Sequence, residues 1–154
     1  MLPDSLAAEL LLDVRFELAA PQAFGATPFG NRSTHIITGG SFEGPQLRGK
    51  ALAGGGDWLL TLANGAGELD VRATLETYDG ALIHMTYRGI LDASPEVIAR
   101  VFAGEDVDPA DYYFRTAPRF ETGAEKYDWL NKLVCVGVGQ FGVQKVAYRV
   151  FAIN

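Results

Sequence analysis

The chain has 154 residues, with thirteen basic and nineteen acidic side chains and a net charge of -6. That length suits a single domain spanning 1–154. The acid surplus argues against a nucleic-acid partner, because no basic excess exists to displace counterions from phosphates. The N-terminal segment carries Asp4 and Glu9, has no basic stretch before its apolar residues and has no long apolar run. Neither a signal peptide nor a membrane span is expected, and a cytoplasmic location is the default.

In chain order, "AAELLLDVRFELAA" ends in strict alternation, with Leu12, Val14, Phe16 and Leu18 opposite Asp13, Arg15 and Glu17. That is a half-buried strand, with a helical start near Ser5 left open. "RSTHIITGGSFEGPQLRGKALAGGGDWLLTLANG" reads as short strands, with bends or bulges at Gly39-Gly40 and Gly44-Pro45. "GELDVRATLETYDGALIHMTYRGIL" is the clearest element, two alternating runs flanking Asp79-Gly80. If those two residues are the whole loop, Arg72 lies opposite Tyr87, and Asp70, Arg72 and Tyr87 share a face. The helix signal is "DASPEVIARVFAG", with Ser94 as cap, Pro95 in the first turn, Glu96 complementing the dipole and Gly104 as stop. Three further extended runs follow: "DYYFRTAPRFETG", "YDWLNKLVCVGVGQ" and "VQKVAYRVFAIN". The last also satisfies helical spacing but is read as a strand for its Val, Tyr and Phe content.

Eight or nine strands, one short helix and short connections describe an all-β, mainly antiparallel meander. Closure into a barrel would remove its exposed edges, and about eight strands enclose either packed side chains or one small ligand.

Gly137, Gly139 and Gly142 fall into the spacing G-x-G-x-x-G. A dinucleotide site needs a helix and a returning parallel strand after those glycines, roughly 30 residues in all. Too little chain follows Gly142, so the glycines are read as part of a turn between antiparallel strands. Cys135 stands alone in an apolar run and reads as a packed thiol. His35 and His84 are isolated, which gives no metal-ligand spacing, and no serine lies in a nucleophile elbow. Neither cofactor nor metal is called for.

The blocks "GNR", "TGGSFEGPQLRGKALAGGGDW", "LDVRATLETYDGALIHMTYRG", "YFRTAPRFETG" and "YDWLNKLVCVGVG" occur in an order and spacing that resemble the domain of unknown function 3237 family, also called uncharacterised protein family 0311. The likeness runs from about Gly30 to the C-terminus. It implies a single small bacterial barrel, lipocalin-like or allene-oxide-cyclase-like, and is compatible with a homodimer. It supplies no catalytic residues. The chain departs from the family pattern at Leu52-Ala53-Gly54 and at Glu76.

Two arrangements fit the hairpin. In one, Asp70 and Arg72 are outward and solvated. In the other, Asp70, Arg72 and Tyr87 line a ligand cavity. Arg115 beside Tyr113 offers a planar fork of donors for an oxyanion, or a rim ion pair. Trp58 and Trp129, each preceded by a carboxylate (Asp57 and Asp128), are either core or stacking surfaces at a cavity mouth, and Asn131 shares the side of Trp129. Two functional readings follow. In the first, a cofactor-independent isomerase, cyclase or lyase acts by proton transfer on a small apolar carbonyl or phenolic compound. Asp57 or Asp70 is the acid or base and Arg72 or Arg115 holds the oxyanion. In the second, the same residues only orient a carried ligand, or the lumen is filled and the protein is a structural dimer.

Overall fold

The computed structural model describes residues 1–154. Its strands are β1 (Ala8–Leu18), β2 (Gln22–Thr27), β3 (Gly30–Glu43), β4 (Arg48–Ala51), β5 (Gly56–Thr61), β6 (Gly67–Thr77), β7 (Leu82–Asp92), β8 (Tyr113–Glu121), β9 (Cys135–Gly142) and β10 (Lys145–Ile153), with one helix, α1 (Pro95–Phe102). All pairings are antiparallel. β1 pairs with both β10 and β3, which closes the sheet into a barrel. β4 and β5 run in succession between β3 and β6, so they fill one strand position, and β2 extends the edge beyond β1. Ten strands thus make an eight-position closed barrel, and the meander read from the sequence is correct. No helix is long and apolar enough to cross a membrane.

Period-two alternation decides what faces inward. Along β6, Leu69, Val71, Ala73 and Leu75 are buried, and along β8 Phe114, Thr116 and Phe120 are. Twenty-six buried apolar residues form one cluster, so there is one core. Gly137 and Gly139 contribute space to it: a Cβ on Gly139 would lie 2.7 Å from the Phe114 ring. These glycines therefore sit within β9, and the turn lies one step further on, at Val143-Gln144.

Two other expectations need correction. The segment Glu125–Lys132 is a 3₁₀ turn, not an extended run. It plugs one end of the barrel with Tyr127 and Leu130, 2% and 0% exposed, and an apolar spacing of three favours a tight helical turn over a strand there. The β6–β7 loop is also one residue longer than expected. Glu76 pairs with Leu82, and the Thr77 N–H donates to the Ala81 carbonyl. Tyr78, Asp79 and Gly80 form a three-residue turn, with Gly80 at φ +89° in the glycine-favouring region. Arg72 consequently faces Thr86, Tyr87 faces Val71, and the β7 side chains exchange faces relative to the two-residue reading.

Asp79 explains the longer loop. Its carboxylate accepts from Thr77 Oγ1, from Lys126 Nζ at 2.9 Å and from Tyr127 Oη at 3.0 Å, tying the turn to the barrel plug. Those donors, Thr77 first and Lys126 next, hold its pKa down at about 2 from the ordinary 3.8. A carboxylate depressed by folding stabilises the fold above its unfolded pKa, and that contribution fades as pH falls through the folded value. Asp79→Asn should therefore lower the urea midpoint at pH 7, with the gap to wild type narrowing between pH 4 and pH 2. A constant gap would show that the charge is not what holds the turn.

Candidate functional site

The unplugged end of the barrel leads to a cavity of about 250 Å³. Its walls are mostly apolar: Ile37 from β3, Leu59 from β5, Leu69 and Val71 from β6, Phe114 from β8 and Val146 from β10. Ile98 and Phe102 of α1 reach the mouth, where Phe102 is 59% exposed. Ser94 caps this helix, its Oγ accepting from the Val97 N–H at 3.2 Å, and Pro95 opens it, as its sequence requires.

Among the polar residues lining this mostly apolar interior are His35, Asp57, Tyr87 and Tyr148, with Thr61 further along β5 on the same face as Asp57. His35 and Asp57 are cross-strand partners on β3 and β5. Burial raises the Asp57 carboxyl from 3.8 to about 6, against the lowering effect of the Asp70 N–H, which donates to Asp57 Oδ1 at 3.0 Å. The Asp70 charge raises it further, and Arg32 opposes that. Burial pushes both phenols well above the ordinary value of 10, and the charge of Asp57 adds to the shift in each. Burial lowers His35, which favours its neutral form, and Ser33 Oγ lies 2.9 Å from its Nε2. The ring centroids of Tyr87 and Tyr148 are 5.0 Å apart in an edge-to-face arrangement. The lumen thus holds one carboxyl poised to change charge near neutral pH, beside two phenols that stay protonated.

Of the residues named from the sequence, Asp57 and Tyr87 face this lumen. Asp70 and Arg72 do not. They occupy the outward positions of β6, where Asp70 pairs with Arg88 at 3.4 Å and Arg72 lies over the Trp58 ring at 5.5 Å. Trp58 is outward because it follows the inward Asp57 on a strand. Tyr113 is 54% exposed on the outer wall, with Arg115 over its ring at 5.2 Å. Trp129 packs against the core from the 3₁₀ turn, and Asn131 braces that turn, its Oδ1 accepting from the Thr122 N–H at 2.8 Å. Asp70, Arg72, Trp58, Tyr113, Arg115, Trp129 and Asn131 are therefore structural or surface residues rather than lumen groups. Arg72→Ala should leave binding in the lumen unchanged and cost at most about 1 kcal/mol of stability through the lost ring contact. Loss of binding would mean that the outer face contributes to the site.

Reading the sequence missed His35 and Tyr148. Tyr148 sits in the alternation Val146, Tyr148, Val150, which marks it as inward, and a phenol on an inward face is the signal that could have found it. His35 offered no such signal, because only its pairing with Asp57 gives it a context.

Several known proteins share this arrangement of chain. A protein from Rhodopseudomonas palustris (strain TIE-1) of the UPF0311 group is 39% identical over 108 residues, covering 70% of this chain and 71% of its own. The crystal structure of a β-barrel-like protein from Acinetobacter baumannii AYE is 36% identical, covers 99% of this chain and 98% of its own, and superposes with a TM-score of 0.85. A protein described as an enzyme from Penicillium herquei, 21% identical, covers 100% of this chain and 98% of its own with a TM-score of 0.74, which establishes a common fold. The family model for proteins of unknown function designated DUF3237 matches residues 6–153. With its barrel and the order of its sequence blocks, the chain belongs to that family.

Proposed function

We propose that the lumen binds a small, mostly apolar carbonyl or phenolic compound, and that Asp57 moves a proton on it without a cofactor. The observation that carries this reading is a single carboxyl with a pKa of about 6, enclosed by apolar walls next to two protonated phenols. A general base works best when its pKa lies near the operating pH. Ionised Asp57 would take a proton from a carbon adjacent to the substrate carbonyl, and the C–H electron pair would move into the ring or enolate system. The Tyr87 and Tyr148 hydroxyls would donate to the resulting oxyanion. Protonated Asp57 would then return the proton to the same carbon or another, giving exchange, isomerisation or ring closure with atoms conserved. Neutral His35 would add a further donor or acceptor.

The test is proton exchange. Enolisable ketones and phenols of one or two rings, incubated with the protein in D₂O, should acquire deuterium at the acidic carbon, followed by proton NMR, and Asp57→Asn should reduce the rate about 10²- to 10⁴-fold. Saturable binding without exchange would leave the carrier reading in its place.

A further inference from the structure

The β5–β6 ladder is interrupted beside Asp57. Gly56 pairs with Arg72 and Asp57 with Val71, and pairing resumes at Leu60 and Glu68 in the same register, which leaves Trp58 and Asp70 opposite each other but outside the ladder. In an unbroken antiparallel ladder the Asp70 N–H, which faces β5, would donate to the Trp58 carbonyl. Both groups are bonded elsewhere. The Asp70 N–H donates to Asp57 Oδ1 at 3.0 Å, and the Trp58 carbonyl accepts from Arg32 Nη1 at 2.8 Å.

Arg32 stands on β3, three residues before His35 and therefore on the opposite, outer face. Leu60 is its cross-strand partner, and Trp58 is the diagonal neighbour on β5, within reach of a long side chain. Arg32 is half-buried and makes no ion pair with a carboxylate. Its guanidinium is spent on a backbone carbonyl, in a charge-assisted bond stronger than the neutral backbone bond it replaces.

We propose that Arg32 is the positioning residue of Asp57: by drawing the Trp58 carbonyl out of the ladder it frees the Asp70 N–H to hold the Asp57 carboxylate at the lumen wall. The consequence for proton transfer rests on the function proposed above, whereas the hold on the carboxylate does not. Burial raises the Asp57 carboxyl, and what opposes burial is the Asp70 N–H first and the charge of Arg32 after it. The other groups around Asp57 are His35 of β3, kept neutral by burial, the Asp70 charge of β6, paired with Arg88 of β7, Arg72 of β6 over the Trp58 ring, and the protonated Tyr87 of β7 and Tyr148 of β10. Without Arg32 the Trp58 carbonyl can take back the Asp70 N–H, and Asp57 loses both influences that favour its charged form.

The test follows Asp57 by carboxyl ¹³C NMR and Asp70 by its amide resonance across pH 4 to 9, in the wild type, Arg32→Met and Arg32→Lys, with Asp57→Asn identifying the Asp57 signal. In the wild type the Asp70 amide should titrate together with the Asp57 carboxyl, because it reports the charge of its acceptor. In Arg32→Met that coupling should disappear and the Asp57 midpoint should rise by about one pH unit, with the acid limb of the D₂O exchange rate moving by the same amount. Arg32→Lys, which keeps the charge and a donor, should restore most of the coupling. If Arg32→Met does not fold, Arg32→Gln is read in its place. An unchanged Asp57 midpoint and Asp70 titration in Arg32→Met overturns the proposal, as does an Arg32→Lys protein that behaves like Arg32→Met. An exchange rate lowered equally at every pH makes Arg32 a merely structural residue and overturns it too. Absence of exchange in the wild type, with the NMR couplings as expected, overturns the proposed function and leaves the role of Arg32 standing.

Discussion

Asp57→Asn is expected to make the protein more stable above pH 6 while removing proton exchange on any lumen ligand. Folding raises this carboxyl from 3.8 to about 6, so above pH 6 the folded protein holds a buried charge that the unfolded chain holds in water. The gap between those values corresponds to at most about 3 kcal/mol. The sign follows from proton counts. Between about pH 4 and pH 6 the folded state binds the proton and the unfolded chain does not, so wild-type stability increases as pH falls through that window. Asparagine removes the charge and retains an oxygen to accept the Asp70 N–H, which now donates to Asp57 Oδ1. The variant's advantage should therefore be full at pH 7 and vanish near pH 4, as read from urea unfolding at a series of pH values. A residue held in place against stability is what a working acid or base looks like. Equal stability of the two proteins at every pH would mean that Asp57 is solvated and would weaken its assignment as the base.

The largest structural effect should come from Gly40→Ala. Gly40 lies opposite Phe16 on the β1–β3 seam that closes the barrel, next to an irregularity where Glu17 pairs with Gly39 and Leu18 with Ile37. Its φ is +147°, and a Cβ there would lie 2.0 Å from the Arg15 carbonyl oxygen. Backbone cannot yield as a flexible side chain can, so the strands must separate. A loss of at least about 3 kcal/mol is expected, with the chain opening at its closure. Gly54→Ala is the control. Gly54 has φ +104° but nothing within 4 Å of an added Cβ, so its cost should be near 1 kcal/mol, from backbone conformation alone. Similar midpoints for the two variants in chemical denaturation would show that the seam is not tightly closed at Gly40.

Much of this was written in local pattern. Alternation along Leu12 to Leu18 marked a half-buried strand, the Ser94-Pro95-Glu96 start marked the helix, and the abundance of short strands implied closure. These follow from side-chain direction and from backbone groups bonded to near neighbours, which a sequence states directly. The lumen was less legible. Asp57 and Tyr87 were recognised as chemical groups, but a single extra residue in the Tyr78-Asp79-Gly80 turn moved Tyr87 away from the face of Arg72. That extra residue depends on Asp79 finding Lys126 and Tyr127, 47 and 48 positions away. Arg72 and Arg115 offer planar forks of donors in the sequence, yet guanidinium groups are costly to bury, and both lie over aromatic rings on the outer wall. The sequence by itself determined which side chains alternate and where the chain turns, since those depend on neighbours a few residues apart. Only the tertiary structure decided that Asp57, Tyr87 and Tyr148 meet in one cavity, because strand register, set by contacts distant in sequence, chooses which alternating face looks inward.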